Sequence, residues 1–166
     1  MVQWFSKVRF SGLMLLLVMF ALAGCQSVPP QGLTPEQVAV LKREGFALGE
    51  EGWAYDLSGK VLFGSDLDRL NSQSQAIVER IGKALLSVNI LKVRIDGHAD
   101  ASGKADYNQR LSERRAQSVS MALVGVGMQA QNIHSRGFGS SLPVADNRTS
   151  AGRTENRRVS IVVASD

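Results

Sequence analysis

Between Phe10 and Gly24 the chain is almost uninterruptedly apolar, and from residue 35 onward its apolar positions become periodic. In "TPEQVAVLKREG", Thr34 is placed as an N-cap, Pro35 at the first helical position, Gln37 to complete a capping box and Gly45 as the stop. This pattern predicts a short helix over 35–44. An isolated helix of fewer than about 12 residues is unstable in water, so Val38, Leu41 and the following Phe46 need a surface to dock on. "GWAYDLSGKVLF" reads as two short strands around Ser58-Gly59, and Asn71 caps a helix running to about Leu86 with Ile77, Ile81 and Leu85 as its stripe. "LKVRIDG" alternates Leu91, Val93 and Ile95 against Lys92, Arg94 and Asp96, the mark of a half-buried strand. A loop rich in Gly, Asp and Ala leads into a second long helix ending near Val124, and "IHSRGFG" and "RRVSIVVA" read as the closing strands. The order predicts an α/β two-layer sandwich: a mixed four-stranded sheet packed by helices, preceded by an N-terminal linker helix.

Composition adds the setting. Of 166 residues, 44% are hydrophobic, enough for a core. The 19 Lys and Arg exceed the 15 Asp and Glu, but Lys7 and Arg9 lie in the first ten residues, and the remaining 17 against 15 make no field for a phosphate backbone. No nucleic-acid partner is expected. A basic start, the apolar run and small residues before Cys25 make 1–24 an export signal. The run is shorter than the roughly 20 apolar residues that span a bilayer. Cys25 is the only cysteine, which excludes an intrachain disulfide. Leu22-Ala23-Gly24-Cys25 resembles the lipobox of bacterial lipoproteins, which implies cleavage before Cys25 and its modification by diacylglycerol and an N-acyl chain such as palmitate. Several chains anchor durably at about 0.8 kcal/mol per buried methylene. Gln26, where an Asp would retain such a protein, implies an outer-membrane lipid anchor facing the periplasm. Pro29, Pro30 and Pro35 mark an extended linker, so 25–51 is read as a lipid-anchored linker with one short helix and 52–166 as the folded domain.

Candidate chemistry centres on "GHADASGKADYNQRLSERRA", residues 97–116. At about 100° per residue, Leu111, Val119, Ala122, Leu123 and Val126 share a helix face, and Arg115 falls among them with Asn108 toward the same side. A guanidinium on an apolar face must be paired or hydrogen-bonded. The partner is either an acid of the chain, Asp96 or Asp100, with the stem snorkelling to the helix edge, or the carboxylate of a ligand. In "NRRVSIVV" the parity of Val159, Ile161 and Val163 turns Arg157 to the apolar side and Arg158 away. One Asp with one or two Arg, beside free loop N–H groups, suits a zwitterion such as an amino-acid end group.

"GHADASGKADYNQRLSERRAQSV" and "GFGSSLPVADNRTSAGRTENRRVSI" closely resemble the OmpA-like peptidoglycan-binding domain, over about residues 52 to 164. The resemblance implies an OmpA-like sandwich that binds peptidoglycan through meso-diaminopimelate of the stem peptide. It places the acidic site residue on Asp100, the arginine on Arg115, and supporting positions on Gly103, Asn108, Leu111 and Arg157. Ala99 departs from the family's usual Thr. The segment "LTPEQVAVLKREGFALGEEGWAYDLSGKVLFGSDLDRLN" ahead of this domain also resembles lipoproteins that sequester the periplasmic repressor YfiR and so raise cyclic di-GMP synthesis by a membrane diguanylate cyclase, a control of biofilm formation. The surface expected to meet that partner is Leu41, Phe46, Trp53 and Tyr55, whose bland alternative is packing on the domain's own sheet. A simple tether between outer membrane and wall, resembling Pal, is the other reading, and a homodimer is left open.

No catalytic role is expected. His98 and Asp100 form an H-x-D, but the other histidine, His134, lies elsewhere and no zinc-site spacing or pair of catalytic carboxylates emerges. No metal or cofactor is expected.

Overall fold

The computed structural model describes residues 32–58 and 68–165. The expected signal peptide, Cys25, the first linker residues and a strand expected near 60–63 lie outside the described residues. Contacts divide the chain into Met1–Pro30 and Gln31–Asp166, and every described residue belongs to the second unit.

Thr34 caps helix α1 (Pro35–Glu44) as the sequence predicts: its hydroxyl accepts the Gln37 amide at 3.2 Å, and the Gln37 side chain accepts the Thr34 amide at 2.9 Å. Gly45 ends the helix in the left-handed region. The docking surface that so short a helix needs is the domain itself. Leu41 is fully buried, Gln37 donates to the Val88 carbonyl at the end of α2 (Ser72–Ser87), and Glu44 pairs with Arg80 of α2. Asn71 caps α2, accepting the Ser74 amide at 2.9 Å.

The sheet is mixed and has five strands in the order β1-β2-β5-β3-β4: β1 (Ala47–Gly49), β2 (Gly52–Ser58), β3 (Val93–Gly97), β4 (Ile133–Gly137) and β5 (Arg158–Val163). The strand beyond the expected four is β1, which folds back on β2 through Glu50 and Glu51. Its three residues are all exposed and show no alternation by which a sequence could announce it. Strands β3 and β4 are parallel, and helix α3 (Ala105–Gly125) makes the crossover between them. A further helix, α4 (Ser150–Asn156), precedes β5 and is too short to carry an apolar period.

One core holds these layers together. Val159, Ile161 and Val163 of β5, Val93 and Ile95 of β3, and Trp53 and Leu57 of β2 meet Val78, Ile81 and Leu85 of α2 and Val119 and Leu123 of α3. Leu41 and Phe46 belong to the same core. Two glycines set how closely α3 approaches. A Cβ on Gly97 would stand 2.1 Å from the Ser112 carbonyl oxygen, and one on Gly137 would stand 2.5 Å from the Glu113 side chain. Neither strand end could carry a side chain without lifting the helix.

Because Leu41 is a core residue, Leu41→Ala should lower the free energy of unfolding by about 2–5 kcal/mol, read from urea denaturation. An unchanged midpoint would mean that α1 contributes nothing to the folded unit.

Candidate functional site

The site forms where β3 gives way to α3. The loop between them carries Asp100, only 7% exposed, whose Oδ1 accepts the Ser102 amide at 2.7 Å. Gly103 turns the chain at a φ of 86°, a conformation that favours glycine. Asn108, on the first turn of α3, closes the loop from below: its amide nitrogen donates to the carbonyls of Asp100 at 3.0 Å and Ser102 at 2.8 Å. Ala99 is buried, and its amide is held by the Gly139 carbonyl at 2.7 Å, so the loop is ordered without a hydroxyl at this position.

Asp100 is the acid that meets an arginine. Arg157, the cap residue between α4 and β5, donates from Nη1 to Asp100 Oδ2 at 2.5 Å and from Nη2 to the Thr154 hydroxyl at 2.8 Å. Arg115 is buried on the same side of α3 as Asn108 and Leu111, which are buried too. It lies within electrostatic reach of both Arg157 and Asp100. Asp96 is engaged elsewhere: it accepts from Arg94 at 2.8 Å and Arg136 at 3.1 Å, on the sheet face away from the helices.

The ionisation states follow from these neighbours. Burial pushes the Asp100 carboxyl up, but hydrogen bonds from Arg157 and Ser102 outweigh it and hold the group below its ordinary value. Burial, and then the Arg157 cation, lower the proton affinity of Arg115, against the opposing pull of Tyr107, Asp100 and Asp68. A guanidinium stays charged through shifts of this kind. Asp100 therefore stands beside two guanidinium groups, Arg157 bonded to it and Arg115 within electrostatic reach. A carboxylate next to guanidinium groups is a set able to receive the ammonium and the carboxylate of a zwitterion.

The structure thus brings together Asp100, Gly103, Asn108, Leu111, Arg115 and Arg157. It does not bring His98 to Asp100. His98 points to the opposite face, stacked on Phe138 with ring centroids 5.3 Å apart. There it lines, with Asp56, Asp96, Arg136 and Arg158, a cavity of about 540 Å³. Among the described residues, no group of three or more His, Cys, Asp or Glu is placed to hold a metal. Leu41, Phe46 and Trp53 are 0%, 5% and 7% exposed, so the apolar surface expected from them is buried in the core; Tyr55 is half-buried, tilted against Phe46. The amphipathic stripe of α1 finds its partner within the chain. Sequence reasoning left Asn147, Thr154 and Asn156 unassigned, although all three contact the site or its supporting loop. Their signal was a run of Asn and Thr flanking a short capped helix.

Known proteins share the sequence pattern and the fold of this chain. The sequence profile of the OmpA family matches residues 62–157. The outer-membrane lipoprotein YfiB of Pseudomonas aeruginosa is 54% identical over 159 residues, covering 95% of each chain. A lipoprotein YfiB of Escherichia coli is 39% identical over 144 residues, covering 86% of this chain and 89% of its own. The solved structure of the peptidoglycan-associated lipoprotein from Burkholderia pseudomallei superposes with a TM-score of 0.56 at 27% identity, covering 64% of this chain and 87% of that one.

On the far face, burial and then the Arg158 cation lower the pKa of His98 from 6.5 to about 4, with Arg136 adding to the shift and Asp96 and Asp56 opposing it. The unfolded chain then binds more protons between these values, so His98 contributes stability that is present above pH 6.5 and lost as pH falls through about 4. Urea midpoints measured from pH 7 to pH 4 should fall, and His98→Gln should flatten that decline; an equally steep decline in the variant would assign it to other groups.

Proposed function

The chain belongs to the OmpA family and shares the outer-membrane location of its lipoprotein relatives, and we propose that it binds peptidoglycan through meso-diaminopimelate of the stem peptide. The observation that carries this reading is the pair of buried groups Asp100 and Arg115 with the half-buried Arg157 bonded to Asp100. The free centre of diaminopimelate bears both an ammonium and a carboxylate. The ammonium would displace Arg157 from Asp100, and the carboxylate would take Arg115 and the released Arg157. The exchange leaves Asp100 and both arginines with partners of opposite charge, as a site with buried groups requires. Gly103, Asn108 and Leu111 shape the loop and wall of the site. The role is binding without catalysis.

We further read the chain as the lipoprotein that captures a YfiR-like periplasmic repressor, relieving a membrane diguanylate cyclase and raising cyclic di-GMP. What supports this is the extent of the similarity to YfiB, 159 residues against the 62–157 of the family profile, which takes in α1, β1 and β2. Lipid on Cys25 would hold the domain at the membrane. With α1 packed into the domain, the stretch from Cys25 to Thr34 could span at most about 30 Å even if fully extended. That is a short leash for a pure tether of the Pal kind, which remains the second reading on the strength of the shared fold. Because Leu41, Phe46 and Trp53 are buried, capture through them would require α1 to rearrange.

Two outcomes follow. Asp100→Asn and Arg115→Met should each weaken binding of the chain to purified diaminopimelate-type sacculi by about 10-fold or more, the value of a charged hydrogen bond; binding as strong as wild type would remove the site from this role. Chain 26–166 should recover a YfiR-like protein, identified by mass spectrometry, from a periplasmic extract, and recovery should fall for Tyr55→Ala, whose side chain is half-buried. Recovery of peptidoglycan fragments alone would favour the tether.

A further inference from the structure

Asp100 sits on a loop that is anchored from two sides. From α3 the anchor is Asn108. The second comes from the segment leading into α4. Asn147 Oδ1 accepts the amide of Ala101, next to Asp100, at 3.0 Å. The same oxygen accepts from Asn156 Nδ2 at 2.9 Å. Asn156, with no exposed surface, also holds the chain on either side of residue 144: its Oδ1 accepts the amides of Val144 at 2.8 Å and Ala145 at 3.0 Å, and its Nδ2 donates to the Ala145 carbonyl at 2.8 Å. Arg153 braces the outer side, donating to the carbonyls of Asn147 at 3.0 Å and Arg148 at 3.1 Å.

We propose that Asn147, fixed by Asn156, is a positioning residue for the ligand site: it ties the α4 segment to the Asp100 loop, so that the carboxylate and Arg157 are presented as one preorganised unit. The reasoning rests on the diaminopimelate reading above. Arg157 follows Asn156 directly, so the residue that clamps the 144–147 segment also sets where the Arg157 side chain starts. Asn156, fully buried and bonded through both Oδ1 and Nδ2, holds its geometry tightly, because each bond it lost would leave a buried polar group unpaired, and it fixes Asn147 through the shared Oδ1. Preorganisation of this kind appears as affinity, since the ordering cost is met in folding.

The chemistry of the link makes the test specific. Both bonds attributed to Asn147 here are received by Oδ1, so an aspartate can replace it and an alanine cannot. In the full-length chain in detergent, Asn147→Ala should weaken binding of the tripeptide L-Ala-D-Glu-meso-diaminopimelate by about 10-fold, while Asn147→Asp stays within about three-fold of wild type. Hydrogen exchange over residues 99–104 should quicken in Asn147→Ala and not in Asn147→Asp. Asn147 is only partly buried, so thermal midpoints of both variants should remain close to wild type. Adding Asn147→Ala to Asn156→Ala should cost no further affinity, as expected of two residues acting through one link. Wild-type affinity and unchanged exchange in Asn147→Ala, with Asp100→Asn already unable to bind, would overturn the proposal. If the wild-type chain itself does not bind the tripeptide, the ligand reading fails, and exchange over 99–104 alone decides whether Asn147 positions the loop.

Discussion

Helix α3 rests on the ends of β3 and β4 with no side chain between them, because Gly97 and Gly137 have none to interpose. Close seating lets Ser112 join the chain beyond β4 to the helix. Its hydroxyl accepts the Gly139 amide at 2.9 Å and donates to the Gln109 carbonyl at 2.8 Å. Around it, the Phe138 amide bonds to the Gly97 carbonyl and the Ala99 amide to the Gly139 carbonyl. These bonds decide where the chain leaves β3, and therefore where Asp100 lies. They also decide that Asn108 and Arg115, two turns apart on α3, open onto that point. The site is a consequence of strand-end packing before it is a matter of charge.

Charge then divides the molecule into two clusters separated by the sheet. On the side of α3, Asp100 is shared between Arg157 and the field of Arg115. On the other, Asp96 takes Arg94 and Arg136, Asp56 accepts from Ser160, and Arg158 and His98 are buried nearby. The second cluster ties Arg94 and Arg136 to Asp96. In the first, the guanidinium groups of Arg157 and Arg115 stand beside the Asp100 carboxylate. His98 and Asp100 stand two residues apart yet belong to different clusters, because His98 continues the alternation of β3 on the face of Asp96, whereas Asp100 lies in the loop beyond the end of the strand at Gly97, which Asn108 ties to α3. The H-x-D pattern is therefore no acid–base pair.

Much of this was legible in the sequence. The capping box at Thr34 and Gln37, the Asn71 cap and the stripe of α2 are local signals that the structure carries; the alternation expected of β3 holds for Val93 and Ile95, but Leu91 lies exposed ahead of the strand and Asp96 is buried by its pairing with Arg94 and Arg136. The inward turn of Arg115 and the parity that separates Arg157 from Arg158 were also readable from helical and strand periods. What escaped was short or non-local. Strand β1 has three exposed residues, and α4 has seven with no apolar rhythm. Asn147 and Asn156 act through hydrogen bonds whose partners no spacing identifies.

By itself, then, the sequence determined the longer elements, most of the faces they would bury and the presence of arginines that need an acid, since caps and periods act over a few neighbouring residues. Only the tertiary structure decided which acid that is. Asp100 and Arg157 are 57 positions apart, and their meeting depends on β5 lying between β2 and β3 in the sheet. The structure alone decided, too, that α1 and its aromatic neighbours belong to the core, because whether an apolar stripe packs inward or waits for a partner depends on the surface the rest of the chain presents to it.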